Sequence, residues 1–305
     1  MRQAKGGVLE LERFSEESLT KWLGYAQALD RLEDILYFNL EPERRLLRPK
    51  LVEALATVPL KTVDVSNWVR MVTYQYSDNP LSCAGSLQWV GGRFNAGAHL
   101  DDRTMDPWPA LYVAADYETA YREKYQVAKG TLTNGLTPEE MSLAHQGSTA
   151  TVRINGHLTK VFDMTVVANL APVAKVFKKI EKPVQLQRFA KKLSMTANCQ
   201  VMARTAKEVH DLALMHNWRI KPTQFGLPAP SHILAELIRA AGFEAILYPS
   251  TKGSADCLAV FPDCLADGSF IELADAAPAG VQFTRLDNDT GHPLSGWDSI
   301  AAKLR

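Results

Sequence analysis

Two familiar uses of cysteine are missing from this chain. Its four cysteines, Cys83, Cys199, Cys257 and Cys264, form no Cys-x-x-Cys pair, and no histidine lies at metal-ligand spacing from any of them. A disulfide framework and a structural zinc site are therefore disfavoured, and reduced thiols are expected. Long apolar runs are missing as well. The N-terminus shows no signal-peptide pattern, and no stretch approaches the ~20 apolar residues of a membrane span, so a cytoplasmic protein without membrane contact is expected. Neither charge sign is in excess: Lys+Arg and Asp+Glu stand at 34 each, so the whole-chain field points to no nucleic acid or membrane surface. There is no Gly-x-Ser-x-Gly elbow, no phosphate-binding Gly-x-x-x-x-Gly-Lys-Ser/Thr loop, no His-Glu-x-x-His and no Gly-x-Gly-x-x-Gly. Covalent, metal-assisted and dinucleotide-fold mechanisms are disfavoured by those absences; no metal is expected.

What is present is ordinary globular material. The chain has 305 residues, 46 % hydrophobic and 22 % charged, enough for one large domain or a core with an appendage. Residues 15–38 predict an amphipathic helix, with Ser15 as N-cap and Glu16 and Glu17 in its first turn. Leu19, Trp22, Leu23, Ala26, Leu29, Leu32 and Leu36 recur at the spacing of one buried face. Pro42 and Pro49 are expected to break up the next helical piece, whose Arg44, Arg45 and Arg48 read as a solvated face. This first segment, 1–62, is read as a helical extension or a dimerisation element, so a homo-oligomer is compatible with it.

From Val63 to Tyr76 the pattern turns to strand. Arg70 sits in an apolar strand, where a charge needs either an anionic partner or an exit to water. Gly91-Gly92 before Arg93-Phe94-Asn95 predicts a turn in which backbone closely approaches a ligand. A polar loop follows with Asp101, Asp102, Arg103 and Asp106, then the strand at 110–115, then a helix capped by Asp116. Glu123 falls on the same side of that helix as Ala120 and Val127. A carboxylate on such a face serves as a structural ion pair or as a site residue, and the pattern leaves both open.

Residues 131–148 read as an exposed excursion. Asn155-Gly156, flanked by apolar runs, is the strongest hairpin signal, and Val166–Val176 continues as strand-like sequence. Positions 175–207 are locally basic, with Lys178, Lys179, Lys191 and Lys192 among them. That run reads as a solvated helix face or, alternatively, a docking patch for an acidic partner or nucleic acid. Without interleaved aromatics, direct nucleic-acid binding is not expected. Helix is predicted at 201–217, loop at 221–230, and a helix capped by Ser231 that ends at Gly242. A buried strand, Phe243–Tyr248, then leads into the polar turn holding Ser250, and the apolar strand Cys257–Phe261 follows. Turn serines are common, so Ser250 alone carries little weight.

Taken in order, Gly-Gly-Arg-Phe-Asn at 91–95, Leu-Tyr-Val-Ala at 111–114, Ala-Tyr-Arg-Glu at 120–123 and Tyr-Pro-Ser at 248–250 resemble the RES domain, a family named for its Arg, Glu and Ser. Val69-Arg70 matches its opening arginine and Ala259-Val260-Phe261 its closing strand, so the resemblance spans roughly 68–263. It implies an α+β fold with a split mixed β-sheet core like that of ADP-ribosyltransferases. The helical extension at 1–62, a helical insertion at about 175–241 and a C-terminal extension at 264–305 would lie outside a minimal domain.

The resemblance further implies a toxin of a type II toxin–antitoxin pair that destroys NAD or transfers ADP-ribose. Arg93, Tyr112, Glu123 and Ser250 match the family's site, and Arg70 and Asn95 are further candidates for contact with NAD. The expected reaction is cleavage of the nicotinamide–ribose bond by water or phosphate. In it arginines hold the pyrophosphate, Tyr112 stacks on nicotinamide and Glu123 stabilises the ribosyl cation. ADP-ribosylation of a protein target is the alternative, and a non-catalytic regulatory or nucleic-acid-binding module a second one. The implied partner is a DNA-binding, Xre-like antitoxin.

Overall fold

Short apolar runs such as Leu111–Ala114, Ala245–Pro249 and Asp256–Val260 form the middle of the sheet. The computed structural model describes residues 16–101, 105–127, 148–181, 183–193, 203–277 and 279–296. The predicted excursion at 131–147 and Cys199 lie outside the described residues. Among those described, the strands are β1 (Lys61–Thr73), β2 (Gly91–Gly92), β3 (Asn95–Ala96), β4 (Leu111–Ala114) and β5 (Thr149–Asp163), followed by β6 (Ala245–Pro249), β7 (Asp256–Val260), β8 (Phe270–Leu273) and β9 (Arg285–Leu286). The helices are α1 (Glu16–Ala56), α2 (Tyr117–Tyr125), α3 (Ala171–Phe177), α4 (Val184–Lys192), α5 (Ala206–Ala213), α6 (Ile220–Phe225), α7 (Pro230–Ala240) and α8 (Gly291–Ser295).

The architecture is mixed α+β. A seven-stranded sheet runs β1-β4-β7-β6-β5-β8-β9, and β1 also pairs with β5, so five of its strands close on themselves. β5 and β6 run parallel and the other pairs antiparallel. Period-two alternation separates two cores. Ala114, Ile246, Tyr248, Cys257 and Ala259 face the helices, where Leu51, Leu55, Val173, Leu234 and Ile238 meet them, and half-buried Tyr112 packs against the same core. Leu111, Val113, Ala245, Leu247, Leu258 and Val260 point the other way, into a core shared with Val63, Val65, Ile154 and Leu158. No described helix is long and apolar enough to cross a membrane.

Several local expectations are corrected by tertiary context. Pro42 and Pro49 do not break the helix: α1 runs unbroken through both. Each interior proline costs about 3 kcal/mol, but Leu32, Ile35, Leu51 and Leu55 are all buried, at about 1.5–3 kcal/mol each. Arg44 is not solvated; it and Arg45 hold buried Glu41 beside Pro42, and Arg48 Nε reaches Glu236 of α7 at 2.9 Å. The expected apolar face is also rotated. Ala28, Leu32 and Ile35 pack on Leu186 and Leu193, whereas Trp22 and Leu23 are 63 % and 60 % exposed.

Asn155-Gly156 makes no hairpin, because β5 continues straight through it. The irregularity lies opposite, on β1, where the pairing register shifts between Val65 and Trp68. Asn67 there has φ 55°, and its N–H donates to Asn155 Oδ1. Gly156 is needed for close approach: a Cβ would sit 2.5 Å from Phe270 O of β8. Val166–Val176 is helical rather than strand, and residues 220–225 form α6 within the predicted loop. Ser231 does not cap α7; the N-cap position is Ala229, whose N–H donates to His232 Nδ1.

Candidate active site

The turn at Gly91-Gly92 is a tight two-stranded hairpin of β2 and β3. Gly91 has φ +88°, and a Cβ on it would fall 2.2 Å from Asn95 O, while one on Gly92 would meet the Tyr112 hydroxyl at 2.5 Å. Only glycine fits there. Asn95 holds the hairpin from inside: its Oδ1 accepts from Gly92 N (2.9 Å) and the Tyr112 hydroxyl (2.8 Å), and its Nδ2 donates to Ser86 O (2.7 Å) and Trp108 O (3.1 Å). Asn95, expected to contact NAD, is wholly buried, and these hydrogen bonds make it a support of the hairpin. The Tyr112 hydroxyl accepts in turn from Phe94 N (2.9 Å). Burial raises its pKa above the ordinary phenol value, which keeps it a donor.

Buried His232 completes this scaffold. Its Nε2–H donates to Gly92 O (2.8 Å), and burial pushes its pKa down to about 4. It is neutral at pH 7.

The hairpin aims Arg93 at the helical layer. Arg93 Nη1 donates to Met215 O (2.9 Å) and Nη2 to Thr251 Oγ1 (2.9 Å), and the guanidinium lies 5.9 Å from the Trp218 ring centroid. Half-buried Arg70 pairs with no described anion. Its guanidinium donates to three backbone carbonyls, Pro80 O (2.6 Å), Ser82 O (2.8 Å) and Tyr112 O (3.0 Å). Burial lowers the pKa of both arginines from the usual value.

On the opposite wall, α2 begins as expected: Asp116 Oδ1 accepts from Thr119 N at 2.7 Å. One turn on, Glu123 Oε1 accepts from the Ser250 hydroxyl (2.6 Å) and from Thr251 N (3.2 Å). Ser250 Oγ itself accepts from Lys252 N (3.0 Å) and Gly253 N (2.8 Å). The loop can press on α2 because Gly253 has no side chain; a Cβ would sit 2.4 Å from Thr119 Oγ1. No described residue hydrogen-bonds Glu123 Oε2.

These pieces surround a cleft of about 420 Å³ lined by Arg70, Arg93, Tyr112, Glu123, Lys124, Trp218, Arg219, Tyr248 and Cys257, among others. Arg93, Tyr112 and Glu123 meet there, Arg70 lines it, and Ser250 holds Glu123 from behind. Burial raises the Cys257 thiol pKa, so it stays protonated. Among the described residues no cluster of His, Cys, Asp and Glu is arranged to hold a metal.

Lys124, Trp218, Arg219 and Thr251 were not singled out in the sequence, and Tyr248 entered only as part of the Tyr-Pro-Ser motif. The readable signal was Trp218-Arg219, an aromatic–arginine step of the kind that stacks. The guanidinium of Arg219 does lie 4.5 Å from the Trp218 ring centroid.

No family model matches the chain, and no curated protein matches it. Among solved structures, a chain of the crystal structure of the M. tuberculosis MbcT–MbcA toxin–antitoxin complex is similar to it. The identity is 12 % and the TM-score 0.37, with 81 % of this chain and 97 % of that one covered.

Proposed function

We propose that this protein consumes NAD by breaking the bond between nicotinamide and ribose. The observation that carries the reading is the charge pattern of the cleft, which Arg70, Arg93, Lys124 and Arg219 line together with Glu123, the one carboxylate among the described lining residues. Such a cleft suits a ligand with a diphosphate, drawn by the positive field and held by those guanidinium donors that the protein leaves free, and with a reacting centre that becomes cationic. In NAD the C1′–N bond breaks, the electron pair leaves with nicotinamide, and positive charge develops on the ribose. Glu123 Oε1 is fixed by Ser250 and Thr251 N, which turns Oε2 toward that cation as a preorganised counter-charge. Interactions of this kind contribute on the order of 10²–10³ in rate. Water then adds to C1′ and gives ADP-ribose and a proton, or phosphate adds and gives the 1″-phosphate.

The resemblance to RES motifs suggests NAD, and the chemistry of the cleft supports the roles. The resemblance also extends the reading to a partner: an enzyme that drains NAD has to be restrained, and a DNA-binding antitoxin fills that role in the family. The test is incubation with NAD labelled in the adenylate. Equimolar nicotinamide and labelled ADP-ribose or its 1″-phosphate are expected. Label retained on protein would indicate ADP-ribosyl transfer instead, and NAD left intact would refute the reading.

A further inference from the structure

The segment between α5 and α6 brings a third arginine to the cleft, and its situation differs from that of the other two. Arg70 is tied to three backbone carbonyls and Arg93 to carbonyls and the Thr251 hydroxyl. Arg219 makes one described hydrogen bond, from Nη1 to Gln126 Oε1 at 3.1 Å. Its guanidinium carbon lies over the buried Trp218 ring, 4.5 Å from the centroid. No described carboxylate pairs with it, although Glu123 shares the cleft. A guanidinium carries five N–H donors in a rigid fork, so most of those of Arg219 remain for a ligand. The stack on Trp218 holds the fork without using them.

Gln126 links this arginine to the other wall. It occupies the left-handed C-cap of α2 (φ 59°), and its Nε2 donates to Glu123 O at 2.6 Å. The donor fork and the carboxylate are thus fixed to the same helix end.

We propose that Arg219 is the specificity-determining clamp for the diphosphate of the ligand, positioned by Trp218 and Gln126. The inference rests on the NAD reading for the identity of that diphosphate, but it concerns a different bond-making group and fails separately. Burial and the neighbouring Arg93 lower the Arg219 pKa from the usual value, and an anion placed between the two guanidiniums would relieve that repulsion.

Calorimetric titration of the full chain with ADP-ribose and with adenosine tests the clamp. Arg219→Ala should weaken ADP-ribose at least tenfold and leave adenosine unchanged, with Arg219→Lys recovering part of the loss. With NAD as substrate the same Ala variant should raise KM about tenfold and leave kcat within about threefold, the signature of a lost ground-state contact. Equal ADP-ribose affinity of wild type and Arg219→Ala would overturn the proposal. So would an equal loss for adenosine, or no ADP-ribose binding by the wild type. ADP-ribose bound through Arg219 without any nicotinamide release would sink the NAD-cleavage reading alone and leave the clamp standing.

Discussion

On one side of the cleft, Arg70, Asn95 and Tyr112 direct their hydrogen bonds into the protein, to carbonyls, the hairpin and one another. On the other, Glu123 keeps one oxygen without a described partner, and exposed Arg219 uses one N–H. Similar residue types are present on both sides, so type does not separate scaffold from site. Exposure does not separate them either, since Arg70, Tyr112 and Glu123 are all half-buried. The separation comes from hydrogen bonding: the first group is satisfied inside the protein, as a desolvated polar group must be, whereas Glu123 and Arg219 keep polar atoms for a ligand. Substitutions in the first group should therefore act on stability first, and those in the second on activity first.

The largest stability effect is expected at Asn95. Asn95→Ala leaves Gly92 N, the Tyr112 hydroxyl and the carbonyls of Ser86 and Trp108 short of partners, a loss on the order of 4 kcal/mol. Denaturant unfolding measures it, and a change below about 1 kcal/mol would break the comparison. His232 comes next. Its folded pKa of about 4 lies below the ordinary 6.5, so the unfolded chain takes up the proton first as pH falls. The stabilisation is complete above pH 6.5 and is lost as the pH drops toward 4, by about 3 kcal/mol at most. His232→Gln should show a shallower decline than wild type across that window; parallel curves would remove His232 from the scaffold. Ser250 sharpens the contrast from the other side. Ser250→Ala should cost only ~1 kcal/mol of stability, yet lower the rate of nicotinamide release roughly 10–100-fold by freeing Glu123.

The parts legible in the sequence were those where local pattern and tertiary packing agree. β4, β6 and β7 follow from short continuous apolar runs, and Asp116 caps α2 because its side chain meets Thr119 N within one turn. Arg93, Tyr112, Glu123 and Ser250 were named from ordered motifs, not from any one spacing. The misreadings share another cause: partners far away in the chain. The continuity of α1 through two prolines depends on α3, α4 and α7, and Gly156 answers to Phe270 O where a turn was expected. Asn95 looked like a ligand contact because nothing local reveals that Ser86 and Trp108 surround it. Arg219 was passed over because its neighbours, Gln126 and Glu123, come about ninety residues earlier.

The central claim is that Glu123 acts on a ligand while its surroundings act on the fold. The most direct measurement is nicotinamide release from NAD by wild type and by Glu123→Gln, beside the unfolding midpoint of each. The carboxamide oxygen of that variant would still accept from Ser250, so the fold should hold to within about 1 kcal/mol, while the rate falls at least 10²-fold. Equal rates for the two proteins, or no release by wild-type protein freed of any bound partner, would contradict the account.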